Sequence, residues 1–212
     1  MLENKTGGWS HNDHYHAYLL RYIPYPCNES LEIGCGTGAF TRLLAGRSRH
    51  VLGLDLSPEM IRIACNRSTN FPNIDYQVVD IFEWPFPLEQ LDCIASIATL
   101  HHLPLDILLG KMKAALKPGG VLLVLDLFKA GDLTDLLLNA VAFPANLFMN
   151  LTKDHRLRSS RPLRLAWAEH GKRDHYFKVS EVRRICRDIL PGVIIRKHLF
   201  WRYSLAWRKP VV

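Results

Sequence analysis

No two cysteines in this sequence are spaced as Cys-x-x-Cys, and the five present, at 27, 35, 65, 93 and 186, are odd in number. That excludes a paired-cysteine metal or redox motif and argues against a disulfide framework. Cys93 sits in an apolar run and Cys35 in a glycine loop, so the thiols read as reduced and the protein as cytoplasmic. Long uninterrupted apolar stretches are missing too. The best candidate, Leu133 to Leu151, carries Asp135, Asn139, Pro144, Asn146 and Asn150, a polar load that argues against a membrane span. The opening residues, MLENKTGGWSHNDHYH, hold no apolar core of the kind a signal peptide needs. No internal repeat or low-complexity tract is visible. A hydrophobic content of 48% beside 22% charged residues gives no sign of disorder or fibre. At 212 residues the chain is long enough for one well-buried α/β domain and short for two.

Charge is unevenly distributed. Residues 1 to 152 hold 11 Lys and Arg against 15 Asp and Glu, whereas residues 153 to 212 hold 16 against 5. The whole basic excess belongs to the last quarter. It reads either as a solvated basic face or as a surface for an acidic substrate, a phosphate-bearing partner or an anionic membrane.

Periodicity and punctuation predict an alternating order of elements. Asp13 to Ile23 reads as a helix with Tyr15, Tyr18, Leu19 and Tyr22 on one side. Ser30 to Ile33 is a short strand running into a glycine cluster and a helix from Ala39 to about Ala45. His50 to Leu54 is the second strand, followed by a helix starting at Pro58 with Ser57 as its cap. Ile74 to Val79 alternates as a strand. Leu91 to Ala98 is a nearly unbroken apolar run, as a strand buried on both faces requires. Pro104 to Leu116 is a helix stopped by Lys117-Pro118-Gly119-Gly120, and Val121 to Leu127 is the fifth strand. Alternation of this kind implies a parallel sheet with right-handed crossovers. Residues 128 to 178 then break the pattern. Ser180 caps a helix to about Leu190, and Val193 to Leu199 and Arg202 to Trp207 follow with almost no linker. A connection that short cannot make a parallel crossover, so these two strands must form an antiparallel hairpin.

Leu31-Glu32-Ile33-Gly34-Cys35-Gly36-Thr37-Gly38-Ala39-Phe40 closes a strand and opens a helix, where glycines permit a tight turn and close approach of a ligand. Asp55 lies at the tip of the second strand, where a carboxylate can accept from both hydroxyls of a ribose. Together they point to a nucleoside cofactor. Read loosely, Gly34, Gly36 and Ala39 satisfy the dinucleotide fingerprint, so a nicotinamide-dependent oxidoreductase is one reading. Against it, Glu32 is an odd neighbour for a pyrophosphate but suits the ammonium or sulfonium charge of S-adenosylmethionine.

Gly38 completes E-x-G-x-G-x-G, which resembles motif I of class I S-adenosylmethionine-dependent methyltransferases. The resemblance covers roughly residues 10 to 128 and the terminal hairpin. It implies a Rossmann-like α/β fold with a seven-stranded sheet, five strands parallel plus a C-terminal antiparallel hairpin, and helices on both faces. Val51 to Met60 (VLGLDLSPEM) resembles the second motif, which implies Asp55 on the ribose and Leu56, with Met60 beyond it, near the adenine. Val79-Asp80-Ile81 is similar to the third, which implies Asp80 accepting from the adenine amino group and Ile81 packing on the ring. Leu91 to Leu103 (LDCIASIATLHHL) resembles the fourth, whose main chain near Ile97 and Ala98 borders the methionine. Glu32, Gly34, Cys35, Gly36 and Gly38 would then surround the methionine end. Leu199 to Trp207 and Trp9 to His16 resemble a group of small bacterial methyltransferases.

Missing motifs narrow the acceptor. Strand four ends in Ser96-Ile97-Ala98-Thr99 and not in the Asn/Asp-Pro-Pro-Tyr/Phe of enzymes that methylate exocyclic amines. No Pro-Cys dipeptide follows it to supply a cytosine-directed nucleophile, and no acidic cluster supports a magnesium site. A small-molecule or lipid-like acceptor remains, acidic or amphipathic, with peripheral membrane contact compatible. A nucleic-acid methyltransferase using the basic quarter is the alternative, though that quarter lacks a recognition module.

In-line methyl displacement needs positioning in a dry pocket, and a general base only where the acceptor is a hydroxyl or a protonated amine. His101 and His102 stand at the mouth of the sheet, either as base or as caps of the next helix. His11, His14 and His16, with Asp13 among them, are spaced like metal ligands, but a lid over the cofactor is preferred and no metal is expected. In that lid Trp9, Tyr15 or Tyr18 packs on the methionine end, and His14 or His16 is a further candidate base. Leu136, Leu137, Leu138, Val141, Phe143, Leu147 and Phe148 either line the acceptor pocket or cover the sheet's edge. The expected layout is a single domain over 1–212. It comprises a lid helix (1–29), a cofactor core (30–127), a substrate cap (128–178), and a final helix with the hairpin (179–212).

Overall fold

The computed structural model describes residues 11–129, 131 and 176–211. Trp9, the apolar candidates between Leu136 and Phe148, and nearly all of the 128–178 segment lie outside the described residues.

Seven strands form one sheet: β1 (Glu29–Ile33), β2 (His50–Asp55), β3 (Ile74–Val78), β4 (Leu91–Ile97), β5 (Leu116–Leu127), β6 (Ile194–His198) and β7 (Arg202–Arg208). Their order is β3-β2-β1-β4-β5-β7-β6. The first five pair in parallel, and β7 runs antiparallel between β5 and β6. This is the seven-stranded architecture expected, with the hairpin where its short linker required it.

The described helices are α1 (Asp13–Leu19), α2 (Ala39–Ala45), α3 (Pro58–Arg67), α4 (Leu105–Ala115) and α5 (Val179–Ile189). Ser57 caps α3 as expected, its hydroxyl accepting from the Met60 N–H at 3.4 Å. Several boundaries differ from expectation: β5 begins at Leu116 and not at Val121, running through Lys117-Pro118-Gly119-Gly120, because Leu116 already pairs with Leu91 of β4. The first helix gives way at Leu20 to a 3-10 turn ending at Tyr22. Ile23 stands before Pro24 and is therefore extended, because the proline ring disfavours helical geometry at the preceding residue. The last helix begins at Val179 and not after Ser180, because the Glu181 carboxylate reaches back to accept from the Lys178 N–H at 2.8 Å.

Alternate residues of the central strands serve opposite faces. Ile94, Leu122 and Val124 pack with Leu108, Leu109 and Met112 of α4 and with Val182 and Cys186 of α5. Cys93, Ala95, Ile97, Leu123 and Leu125 pack on the other face with Leu19 of α1 and Phe40 and Leu44 of α2. Strand order reverses between β1 and β4, so the crevice at their carboxyl ends is the place for a ligand in such sheets. In β7, Arg202 pairs with Leu127, which brings the β6–β7 turn to this same edge. That turn holds both Phe200 (φ 60°) and Trp201 (φ 56°) in the left-handed region, and the Trp201 carbonyl accepts from Phe128 N–H at 3.2 Å.

Candidate functional site

The loop after β1 places Gly34, Gly36 and Gly38 at φ 70°, 52° and 74°. Their side-chain positions are not equivalent. A Cβ on Gly34 would collide with Thr99, and one on Gly38 with the Tyr76 hydroxyl, so these two are fixed by the protein's own packing. A Cβ on Gly36 would meet nothing within 4 Å. The loop is therefore open at its middle glycine and closed at its flanks, as a cradle for a ligand's approach requires.

Asp55, at the tip of β2, holds the loop and the start of α3 together. Its Oδ2 accepts from the Gly36 N–H at 2.8 Å and its Oδ1 from the Ser57 N–H at 2.9 Å. A carboxylate has about four lone-pair sites, so capacity for ribose hydroxyls is left. Leu56 beside it is 70% exposed and Met60 is exposed as well, an uncovered apolar surface where the resemblance expects the adenine. Asp80 is also exposed, and its Oδ1 accepts from the Phe82 N–H at 2.9 Å while Ile81 is buried behind it. Ile97 ends β4, and Ala98 follows at φ 53° with its N–H donating to the Leu125 carbonyl at 2.7 Å.

Glu32 sits under the loop at 2% exposure and accepts from the Thr41 hydroxyl. Burial pushes its carboxyl up to about 8, with Thr41 and Arg42 opposing the rise. Burial likewise pushes the Cys35 thiol up, with help from Glu32 and Asp55, so it is no nucleophile at neutral pH.

His101 and His102 occupy their own 3-10 turn, Leu100–His102, after β4, while α4 starts later, at Leu105. They do not cap that helix. His101 is 5% exposed, and its Nδ1 lies 2.6 Å from Asp126 Oδ1 at the end of β5. Asp126 Oδ2 accepts from the His101 main-chain N–H at 2.9 Å. A carboxylate accepts only, so Nδ1 carries a proton and donates to Asp126, and Nε2 is the ring atom through which a proton can be exchanged. Tyr176 stacks on the ring at 5.0 Å. Asp126 was not among the expected residues, although a lone acid near the end of the apolar run Val121 to Leu127 is a signal for it.

The N-terminal helix lies over this edge but is not arranged as the lid reading expected. Tyr15 does not turn to the glycine loop. Its hydroxyl donates to the Leu199 carbonyl at 3.0 Å and its ring lies 4.7 Å from that of His198, because the β6–β7 turn offers a half-buried acceptor. Arg202 Nε donates to Asn12 Oδ1 at 2.7 Å, a second tie between α1's N-terminus and the hairpin. His14 is exposed and rests edge-on against Tyr15 and Phe200. His11 also meets Phe200, at 4.9 Å. His16 is buried against Phe40 of α2 at 5.0 Å. Among the described residues no three His, Cys, Asp or Glu side chains are grouped to hold a metal ion, and no helix is long and apolar enough to cross a membrane.

A family model described as a methyltransferase domain matches residues 31–120. An uncharacterised methyltransferase of Mycobacterium tuberculosis is 30% identical over 204 residues, covering 96% of this chain and 98% of its own length. A demethylmenaquinone methyltransferase of Tropheryma whipplei is 38% identical over 97 residues, which span 45% of this chain and 40% of that protein. Among solved structures, phosphoethanolamine N-methyltransferase 2 of Haemonchus contortus in complex with S-adenosyl-L-methionine aligns with a TM-score of 0.68 at 17% identity. That alignment covers 93% of this chain and 53% of that one.

Proposed function

The chain belongs to the class I S-adenosylmethionine-dependent methyltransferases, and on that premise we propose that it methylates a small-molecule or lipid-like acceptor with His101 as general base. The cofactor supplies a sulfonium-bound methyl group and leaves as S-adenosylhomocysteine. The residues present fit it: the cradle is open at Gly36, a carboxylate stands beside it at Asp55, and apolar Leu56 and Met60 lie uncovered. In this reading Asp55 holds the ribose, Asp80 and Ile81 hold the adenine, and Glu32, Cys35, Ile97 and Ala98 surround the methionine end. The nicotinamide reading of Gly34, Gly36 and Ala39 is set aside.

The observation that carries the base assignment is the His101–Asp126 pair. Asp126 holds the ring by one bond to Nδ1 and the residue's main chain by a second, and it stabilises the imidazolium that forms when Nε2 takes a proton from an acceptor hydroxyl or amine. His101 belongs to the turn just past β4, three residues beyond Ala98, and in this reading the main chain of Ile97 and Ala98 borders the transferred methyl. An acceptor of small-molecule type is supported by the relative that acts on demethylmenaquinone. The segment 128–178 leaves β5 at this edge and is assigned to cover the acceptor, with its basic half suiting an acidic or amphipathic group or a membrane surface.

The test is release of S-adenosylhomocysteine across a panel of quinols, carboxylic acids and lipid head groups, followed by His101→Asn on the best acceptor. Loss of about 100-fold or more in kcat with unchanged cofactor affinity supports the assignment. Equal turnover in the variant removes His101 from the chemistry.

A further inference from the structure

Among the described residues one buried side-chain nitrogen or oxygen has no hydrogen-bond partner, and it is His16 Nε2. The residue is 6% exposed, so solvent does not satisfy it. Natively folded chains pair such atoms almost without exception, and an orphan therefore asks for a ligand.

Its surroundings say what kind. His16 lies on the buried face of α1 with Tyr15 and Leu19. Its ring packs at 5.0 Å on Phe40, the second residue of α2, which stands two positions past Gly38 at the end of the glycine loop. The other ring nitrogen, Nδ1, faces Asp13 Oδ1 at 3.7 Å, one turn earlier on the same helix. Burial holds the imidazole below its ordinary 6.5 against the pull of Asp13, so the ring is neutral at pH 7 with a single N–H. A carboxylate on the Nδ1 side draws that proton to Nδ1. What Nε2 presents is a buried lone pair, and its ligand must be an N–H or O–H donor.

The cofactor assigned to this loop ends in such a donor. We propose that His16 Nε2 accepts a hydrogen bond from the α-ammonium of the cofactor's methionine end, so that bound cofactor latches α1 to the start of α2. The inference rests on the S-adenosylmethionine assignment and gives His16 a binding role in place of a catalytic one. An ammonium has three N–H groups, so His16 and Glu32 need not compete for it.

The experiment compares two ligands with the full chain by calorimetry. S-adenosylhomocysteine carries the amino-acid end, and methylthioadenosine has the same nucleoside and sulfur without it. His16→Phe keeps the ring and removes the lone pair. It should weaken S-adenosylhomocysteine about tenfold, leave methylthioadenosine unchanged, and lose less when Gln stands at 16. The second measurement needs no variant: the Nε2 resonance of His16 in the parental protein should shift on adding S-adenosylhomocysteine and stay in place with methylthioadenosine. Equal weakening of both ligands would make His16 a packing residue. An unshifted resonance, or a variant binding as tightly as the parent, would overturn the proposal while leaving the cofactor in place. A parental chain that bound neither ligand would overturn the cofactor assignment itself.

Discussion

The Tyr15 hydroxyl donates to the Leu199 carbonyl at 3.0 Å, joining residues 184 positions apart. Burial pushes the phenol up to about 12 even with Arg202 nearby, so it keeps its proton, and with it the bond, at any physiological pH. Tyr15→Phe should therefore destabilise the protein by about 0.5–1.5 kcal/mol, by removing the donor of a half-buried carbonyl. Thermal melting checks the size. Removal of residues 1–22 goes further, since Leu19 and Tyr15 are core residues beside Phe40. That truncation should still bind methylthioadenosine weakly but turn over little. Full activity in it would deny α1 any part in the site.

The three loop glycines should separate by phenotype. Gly34→Val and Gly38→Val meet Thr99 and Tyr76 and should fold poorly. Gly36→Val has space within the protein, so it should fold at a cost of about 1–2 kcal/mol for its left-handed backbone, yet lose cofactor binding because the methyls stand in the ligand's approach. Parallel melts and titrations of the three variants decide this. Retained affinity in Gly36→Val would move the cofactor off the loop.

Asp55→Ala should weaken S-adenosylhomocysteine by about 1–3 kcal/mol through lost ribose contacts. It should also lower the melting temperature of the unliganded protein, because Gly36 and Ser57 N–H groups lose their acceptor. An unchanged dissociation constant removes Asp55 from the cofactor site.

Glu32 makes stability and binding depend on pH in a defined sense. Its ordinary value of 4.5 is raised to about 8 in the folded protein, so between these limits the unfolded chain ionises while the folded chain stays protonated. Stability must fall as pH rises through that window and level off above it. Glu32→Gln should flatten that slope in melts between pH 5 and about 9. If a cofactor ammonium meets the carboxyl, ionisation becomes favourable and binding at pH 7 releases a proton. Calorimetry in two buffers of different ionisation enthalpy reads that release, and none would place Glu32 away from the ammonium.

His50 works in the opposite sense at the far edge of the sheet. Its Nδ1 meets Glu29 at 2.8 Å and its Nε2 meets Asp75 at 3.0 Å, and the bonds to Asp75 and Glu29 raise its value against partial burial. Its contribution is complete below the ordinary 6.5 and is lost as pH rises through the raised value. These groups are largely exposed, so the effect is limited to about 1 kcal/mol or less. His50→Ala should lower the melting temperature at pH 6 and leave it nearly unchanged at pH 9.

The legible parts of this chain are those written locally. Glycines and prolines punctuate the strand and helix runs, and the spacing from Gly34 to Asp55 is set by one strand-helix-strand unit, so both read directly from sequence. The short 199–201 linker dictated an antiparallel hairpin on length alone. What escaped is non-local. Asp126 finds His101 across 25 residues, and nothing around either histidine distinguishes a helix cap from a held imidazole. Tyr15 reads as a ring for the cofactor until the β6–β7 turn supplies a nearer acceptor. Ser180 has the chemistry of a cap, but a glutamate one residue further on reaches the N–H first.

The turn at Phe200 and Trp201 bears on any search for heat-resistant variants. Two consecutive aromatic residues in left-handed geometry cost about 1–2 kcal/mol each, and Asn-Gly would occupy the same backbone without that penalty. Phe200 is buried in the core, however, and losing its ring costs about 3–5 kcal/mol of packing, so the exchange would lower the melting temperature. The Phe200 ring it discards is also the surface on which His11 and His14 rest, so the variant would present a loosened N-terminal segment. Substitutions at this turn should therefore cost heat tolerance and turnover together, whereas those around His50, at the opposite end of the strands, should leave turnover unchanged.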